Sequence, residues 1–264
     1  NNGFVSLFGK SGSGKTTILN MIAGIVKFNS GDIYYDDKKY SELSSEDYNT
    51  LRRENIGLIF QDDNLFKDLT VEENINLSLE LQGNSETQQL DYYYDLLGIG
   101  EFKKTKVSKL SGGERQRVSI LRSLARNASI ILADEPTASL DESNSDIVYN
   151  ALKEISKNRL VVMSSHDKDA VEDYSDIVIE LDYGKVTNVR QINQVEEINV
   201  DSPNYKKIGI KEVYKVSSKI LSIQKFRKVF TCFFFLISLT MTIISFVSFN
   251  FNKKFFIEFF GNRE

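Results

Sequence analysis

Near the front of the chain, in the run LFGKSGSGKTTILN, Gly9, Gly14, Lys15 and Thr16 meet the spacing G-x-x-x-x-G-K-[ST]. Each residue type has a chemical reason. Glycines without a Cβ let several backbone N–H groups turn inward and form a nest for anionic oxygens. A helix opening near Lys15 adds its positive end at the same point. Lys15 then reaches the outer phosphates of a nucleotide, and the Thr16 hydroxyl ligates Mg2+. Ser11, Gly12 and Thr17 belong to the same turn and helix start. Far along the chain, SIILADEP places Asp134 and Glu135 at the end of an apolar run. One carboxylate there can hold Mg2+ and a second can polarise an attacking water. Asp134 is assigned to the metal and Glu135 to the water.

These residues need a scaffold that brings them together. Short apolar runs recur: FVSLFG (4–9), IGLIFQ (56–61), SIILADE (129–135), RLVVMSSH (159–166) and DIVIEL (176–181). Continuous rather than alternating apolarity predicts strands buried on both faces, as in a parallel sheet covered by helices. Helical patterns separate them, among them KTTILNMIAGI, GGERQRVSILRSLARN and DIVYNALKEISKN. The alternation predicts an α/β fold. Acid pairs at strand ends suit it, because open α/β sheets bind ligands there. GDIYYDDKKY and ELDYGKV read as hairpins. Residues 70–109 read as a polar helical insertion, and 187–203 as a linker.

The 264 residues suffice for one sizeable α/β domain with an appendage. A net charge of −4 gives no reason to expect nucleic acid as a partner. A single cysteine, Cys232, excludes an internal disulfide and fits a cytosolic bulk. A buried strand predicted to begin at Phe4, with no initiator methionine, reads as an excerpt of something longer.

Four further elements narrow the class. LSGGERQR (110–117) lies about a hundred residues beyond the phosphate loop, just ahead of IILADEPTASLD. Taken alone, Ser111 is a good helix cap before two glycines, Asp141 caps the next helix, and Gln61 and His166 are strand-end polar residues. Taken in order, the set resembles the ATP-binding cassette (ABC) ATPases over residues 1–190. LSGGERQR resembles that family's signature, Gln61 its glutamine loop, SLD its aspartate loop, and His166 its switch histidine. The resemblance implies a P-loop NTPase core with a helical subdomain at about 70–125, ATP and Mg2+ as ligands, and ATP hydrolysis. It implies two cassettes meeting head to tail, with Ser111, Gly112 and Gly113 of one facing the phosphate loop of the other and Asp141 at the contact. Glu135, His166 and Gln61 carry the catalytic roles, with Thr16, Gln61 and Asp134 at the metal. The family's adenine-stacking aromatic has no counterpart, since only eight residues precede Gly9.

The far end is of another kind. Ile210, Val213, Val216, Ile220 and Ile223 make an apolar helical stripe among lysines, within a linker and connector at 191–228. VFTCFFFLISLTMTIISFVSFNFN (229–252) follows without an acid or base apart from the Cys232 thiol. At ~1.5 Å per residue, 24 residues give about 36 Å, enough for a bilayer core of about 30 Å. Residues 253–264 then open an extracytoplasmic region. Eight basic residues against one acid in 206–228 place the N-terminal flank on the cytoplasmic side of the plasma or inner membrane. A cassette, connector and span in this order resemble the macrolide-exporter and lipoprotein-release transporters, homodimers with a fused permease. The expected partner is a permease transmembrane domain, its own or a separate one. Two other readings remain: a soluble ABC ATPase of DNA repair or translation, and a cassette that binds ATP without turnover.

Overall fold

The structure, a computed structural model, describes residues 2–35, 38–81, 89–194, 218 and 225–260. In chain order the sheet and helix elements are β1 (Gly3–Phe8), α1 (Lys15–Ile22), β2 (Tyr34–Tyr35), β3 (Lys38–Lys39), α2 (Ser45–Glu54) and β4 (Ile56–Ile59). They continue with α3 (Val71–Glu80), α4 (Leu90–Leu96), α5 (Gly112–Leu124), β5 (Ile130–Asp134), α6 (Glu142–Ser156) and β6 (Leu160–Ser165). The last are α7 (Lys168–Tyr174), β7 (Ile177–Asp182), β8 (Lys185–Gln191) and α8 (Lys225–Phe260). The chain divides into two compact units, Asn1–Val213 and Tyr214–Glu264.

All five predicted strands form, in a six-stranded sheet of order β4-β5-β6-β1-β7-β8. The first five are parallel and β8 pairs antiparallel with β7. Their continuous apolarity follows from cover on both faces. Phe4, Ile131, Ala133, Val161 and Met163 join α3, α5 and α6 in one core, while Leu7, Leu132 and Val162 join Leu19 of α1 and Leu51 of α2 in the other. Successive strand residues point to opposite faces, so a doubly covered strand is apolar at most positions, and the buried Ser6 and Ser164 are hydrogen-bonded, to Ser175 and Asp134.

Helix starts obey the chemistry of their caps. Ser44, Thr70 and Ser111 each accept a bond from the backbone N–H three residues on, and Asp47, Glu73 and Glu114 return it. These are reciprocal capping boxes. The predicted hairpin at 34–39 forms, with its tip outside the described residues. The second turns at Tyr183 and Gly184, both at positive φ, as a two-residue hairpin turn requires.

Two expectations need revision. Residues 187–191 belong to β8 rather than to a linker: their polarity is that of an edge strand, whose register pairs Ile177 with Gln191 and Ile179 with Val189. The 70–109 insertion is helical but not polar throughout. Val71, Ile75, Leu79, Tyr93, Tyr94, Leu97, Ile99 and Val107 are buried in the same core as the sheet residues. Its polar residues mark only the outward faces of amphipathic helices. The predicted span at 229–252 lies within α8, Lys225–Phe260. Within it, Val229–Phe246 is long and apolar enough to cross a membrane, and its side chains are exposed throughout. The stripe at 210–223 lies outside the described residues but for Ser218.

Candidate active site

The C-terminal ends of neighbouring parallel strands assemble the predicted residues. The phosphate loop follows β1, the acid pair ends β5, His166 follows β6, and Gln61 stands two residues past β4. β6 lies between β5 and β1 in the sheet. Residues from the ends of four strands therefore converge although up to 157 positions separate them in sequence (Gly9 to His166). A cavity of about 360 Å³ is lined by Ser11, Gly12, Gly14, Lys15, Thr16, Thr17, Gln61, Asp134 and Glu135.

The loop's geometry accounts for its glycines. Gly12 and Gly14 have φ of 81° and 99°, a region that favours glycine. Gly9 is required for another reason: a Cβ there would lie 2.4 Å from the Leu181 carbonyl oxygen and 2.7 Å from Ser13 Oγ. The β7–β8 hairpin thus braces the loop, and Gly184 N–H donates to Ser13 O at 3.0 Å. Lys15 is 5% exposed; its Nζ donates to Gly9 O at 2.7 Å and Lys10 O at 3.2 Å and lies 3.4 Å from Glu135 Oε1. Ser13 Oγ is buried and has no partner. Such an orphan hydroxyl is costly unless a ligand oxygen engages it.

The acid pair is held by a residue that sequence reasoning missed. Ser164 Oγ donates to Asp134 Oδ1 at 2.6 Å and accepts from Glu135 N–H at 3.0 Å. Ser164 faces Asp134 in the β5–β6 register. Nothing local in VVMSSH distinguishes it from Ser165; only the strand pairing does. Thr16 Oγ1 donates to Asp134 Oδ1 at 3.1 Å. Glu135 has φ of 44°, a left-handed conformation that costs a residue with a Cβ about 1–3 kcal/mol. That conformation turns its carboxylate toward Lys15 and toward His166 Nδ1, also at 3.4 Å. Glu135 is 22% exposed and His166 62% exposed.

Hydroxyl, carboxylate and amide oxygens converge from Thr16, Asp134 and Gln61, a hard donor set that fits Mg2+. Among the described residues no three His, Cys, Asp or Glu cluster to cage an ion. A cation here would draw most of its ligands from phosphate oxygens and water, which is the usual habit of Mg2+.

Ser111, Gly112, Gly113 and Asp141 stand apart from that cavity. Ser111 Oγ accepts from Glu114 N–H, and Ser111 N–H donates to Glu114 Oε2 at 2.7 Å. Asp141 caps α6, accepting from Asn144 N–H at 2.9 Å. Ser111 and Asp141 thus both act as the helix caps expected of them. Ser111, Gly112 and Asp141 are exposed. The two caps are nevertheless neighbours, because a Cβ on Gly113 would approach Asn144 Cγ to 2.9 Å. Asp141 is held below the usual carboxylate range by hydrogen bonds, first from Asn144 N–H, then from the Asn144 amide and the Ser143 hydroxyl.

A phosphate loop after one parallel strand, with an acid pair on a second, defines a P-loop nucleoside triphosphatase. Comparison with known proteins gives the family. Residues 1–138 match the family model described as ABC transporter. An uncharacterized ABC transporter ATP-binding protein of Mycobacterium tuberculosis is 38% identical over 200 residues, 74% of this chain and 80% of the relative. The macrolide export ATP-binding/permease protein MacB of Mannheimia succiniciproducens is 33% identical over 250 residues, 91% of this chain but only 39% of that protein's length. Among solved structures, an ATP-binding cassette dimer in a post-hydrolysis state bound to ADP and Pi matches with a TM-score of 0.65 and 32% identity, covering 74% of this chain and 88% of that one. The chain belongs to the ABC transporter family and carries its ATPase cassette.

Proposed function

We propose that the cassette binds Mg2+-ATP on the phosphate loop and hydrolyses it to drive a membrane transporter or mechanotransmitter. Lys15 and the loop N–H groups hold the phosphates. Mg2+, when bound through Thr16, Asp134 and Gln61, neutralises developing charge on the transferred phosphoryl group. Glu135 polarises the attacking water, and His166 orients Glu135 and the terminal phosphate. The observation carrying this reading is the strained Glu135, fixed by Ser164 and set between Lys15 and His166. Strain of that kind persists only where surrounding structure imposes it, and it concentrates at reacting sites.

The second copy completes the site. Ser111 and the N–H groups of Gly112 and Gly113, at the positive end of a 13-residue helix, face the terminal phosphate of a partner arranged head to tail. Asp141 meets the partner beside them. This arrangement fits the exposure of both caps and the dimeric state of the matched solved cassette. Residues 1–190, with the helical part at 70–125, form the cassette, on the cytoplasmic side. α8 crosses the plasma or inner membrane, and the basic stretch before it lies on the inner face. A permease, in the same chain or a separate one, receives the motion, as the matched export ATP-binding/permease relative suggests.

Phosphate release by the purified protein in nanodiscs tests the reading. Glu135→Gln is expected to keep ATP binding and ATP-driven pairing while turnover falls at least about a hundredfold. Undiminished hydrolysis would remove Glu135 from its role.

A further inference from the structure

The caps of α5 and α6 are joined by one side chain with no role in the family resemblance, Asn144. Its Nδ2 donates to both carboxylate oxygens of Asp141, at 2.8 and 2.9 Å, and its backbone N–H donates to Asp141 Oδ1 at 2.9 Å. Its Oδ1 accepts from Arg117 Nη1 of α5. Arg117 is buried at 8% exposure, and its Nε has no partner. The Asn144 carboxamide also fills the place where a Cβ on Gly113 would stand.

These contacts fix the amide's orientation chemically. A guanidinium only donates and a carboxylate only accepts, so the bridge between them must accept at one end and donate at the other. A carboxamide does both in a planar unit of the right size. An aspartate at 144 would accept from Arg117 but repel Asp141, and an alanine would leave both ends open. Arg117 is anchored in the buried face of α5, whereas Asp141 is exposed. The amide therefore passes the rigidity of the core out to a surface carboxylate.

We propose that Asn144 is a positioning residue that holds Asp141 at a set distance from the Gly113 N–H, so that both meet a second copy as one preformed surface. The inference rests on the head-to-tail reading above. Preorganisation of this kind acts on association, since the two caps need not be ordered when the partner arrives. It leaves the phosphate loop of the same chain untouched, because neither Asn144 nor its partners line that cavity.

The test uses the full chain in detergent carrying Glu135→Gln, with pairing followed by light scattering against ATP concentration and single-chain binding followed with ADP. Adding Asn144→Asp is expected to raise the ATP concentration at half-pairing by about tenfold or more, equivalent to ~1.4 kcal/mol. Asn144→Ala moves it the same way by less, and ADP affinity stays within about twofold in both. Half-pairing unchanged in both variants overturns the proposal. So does a parallel loss of ADP affinity, which would mark Asn144 as part of general folding. If the Glu135→Gln parent itself does not pair on ATP, the head-to-tail reading fails first, and that outcome is distinct from the other two.

Discussion

The phosphate-loop cavity and the signature face are both built from strand or helix ends, yet they differ in how their polar groups are satisfied. Around the cavity the residues engage one another: Lys15 with Gly9, Lys10 and Glu135; Thr16 and Ser164 with Asp134; His166 with Glu135. At the signature face, Ser111 and Asp141 bond to their own helix starts, and Ser111, Gly112 and Asp141 are exposed. One region is a nearly finished site within a single chain. In the other, Asn144 ties Asp141 back to Arg117 of α5, while Ser111, Gly112 and Asp141 stay exposed. That contrast is what a composite site looks like before its halves meet, and it tells which substitutions act within a chain and which act between chains.

The comparison breaks most readily at Lys15. Lys15→Ala removes a buried ammonium and is expected to lower both ATP affinity and turnover, the latter by at least about a hundredfold, in phosphate-release assays. If ATP binding survived intact, the cavity would not be the phosphate site. Glu135→Gln sharpens the point by separating binding from turnover, as set out above. Ser164→Ala comes next. It withdraws one bond from Asp134 and one from the strained Glu135 N–H, and turnover should fall about tenfold with ATP-driven pairing retained. Equal loss of pairing would place Ser164 in the second region instead.

Smaller effects belong to the caps. Ser111→Ala is expected to cost about 1 kcal/mol of stability in denaturant unfolding, since a helix cap is lost. It should weaken pairing without changing ADP affinity. A shift in ADP affinity would erase the division between the regions. Asp141 supplies a pH handle. Its folded pKa lies below the unfolded value, so its contribution to stability is present above the ordinary aspartate range and is lost as pH falls through the folded value. The gap in thermal midpoint between wild type and Asp141→Ala should therefore narrow on acidification below that range. A constant gap would show that hydrogen bonding does not hold the carboxylate ionised.

Much of the cassette was legible from local pattern. Five strands were visible because a doubly covered strand is apolar along most of its length rather than at alternate positions. The caps at Ser111 and Asp141 were visible because their side chains suit a helix start, whereas those at Ser44 and Thr70 came only with the structure. The phosphate loop announced itself by the spacing of Gly9, Gly14, Lys15 and Thr16, and the φ of Gly12 and Gly14 lies where glycine is favoured. The start of the edge strand β8 was read in the hairpin ELDYGKV, but its continuation was hidden: TNVRQ is polar and mostly exposed, so it resembles a linker. The buried face of 70–109 was missed because Val71, Ile75 and Leu79 are spaced one helical turn apart and dispersed among acids and asparagines.

The sequence by itself determined which residues could bind phosphate, hold a cation and activate water, because those roles depend on functional groups and on spacings inside one turn. It also determined that one long segment near the C-terminus is apolar enough for a bilayer, because length and composition settle that. Only the tertiary structure decided that Ser164 buttresses the acid pair, that the β7–β8 hairpin braces Gly9, and that Asn144 ties Arg117 to Asp141. Ser164 with Asp134, Gly9 with Leu181 and Asn144 with Arg117 are brought together by strand register or helix packing, and pairing across such distances leaves no local mark on either partner.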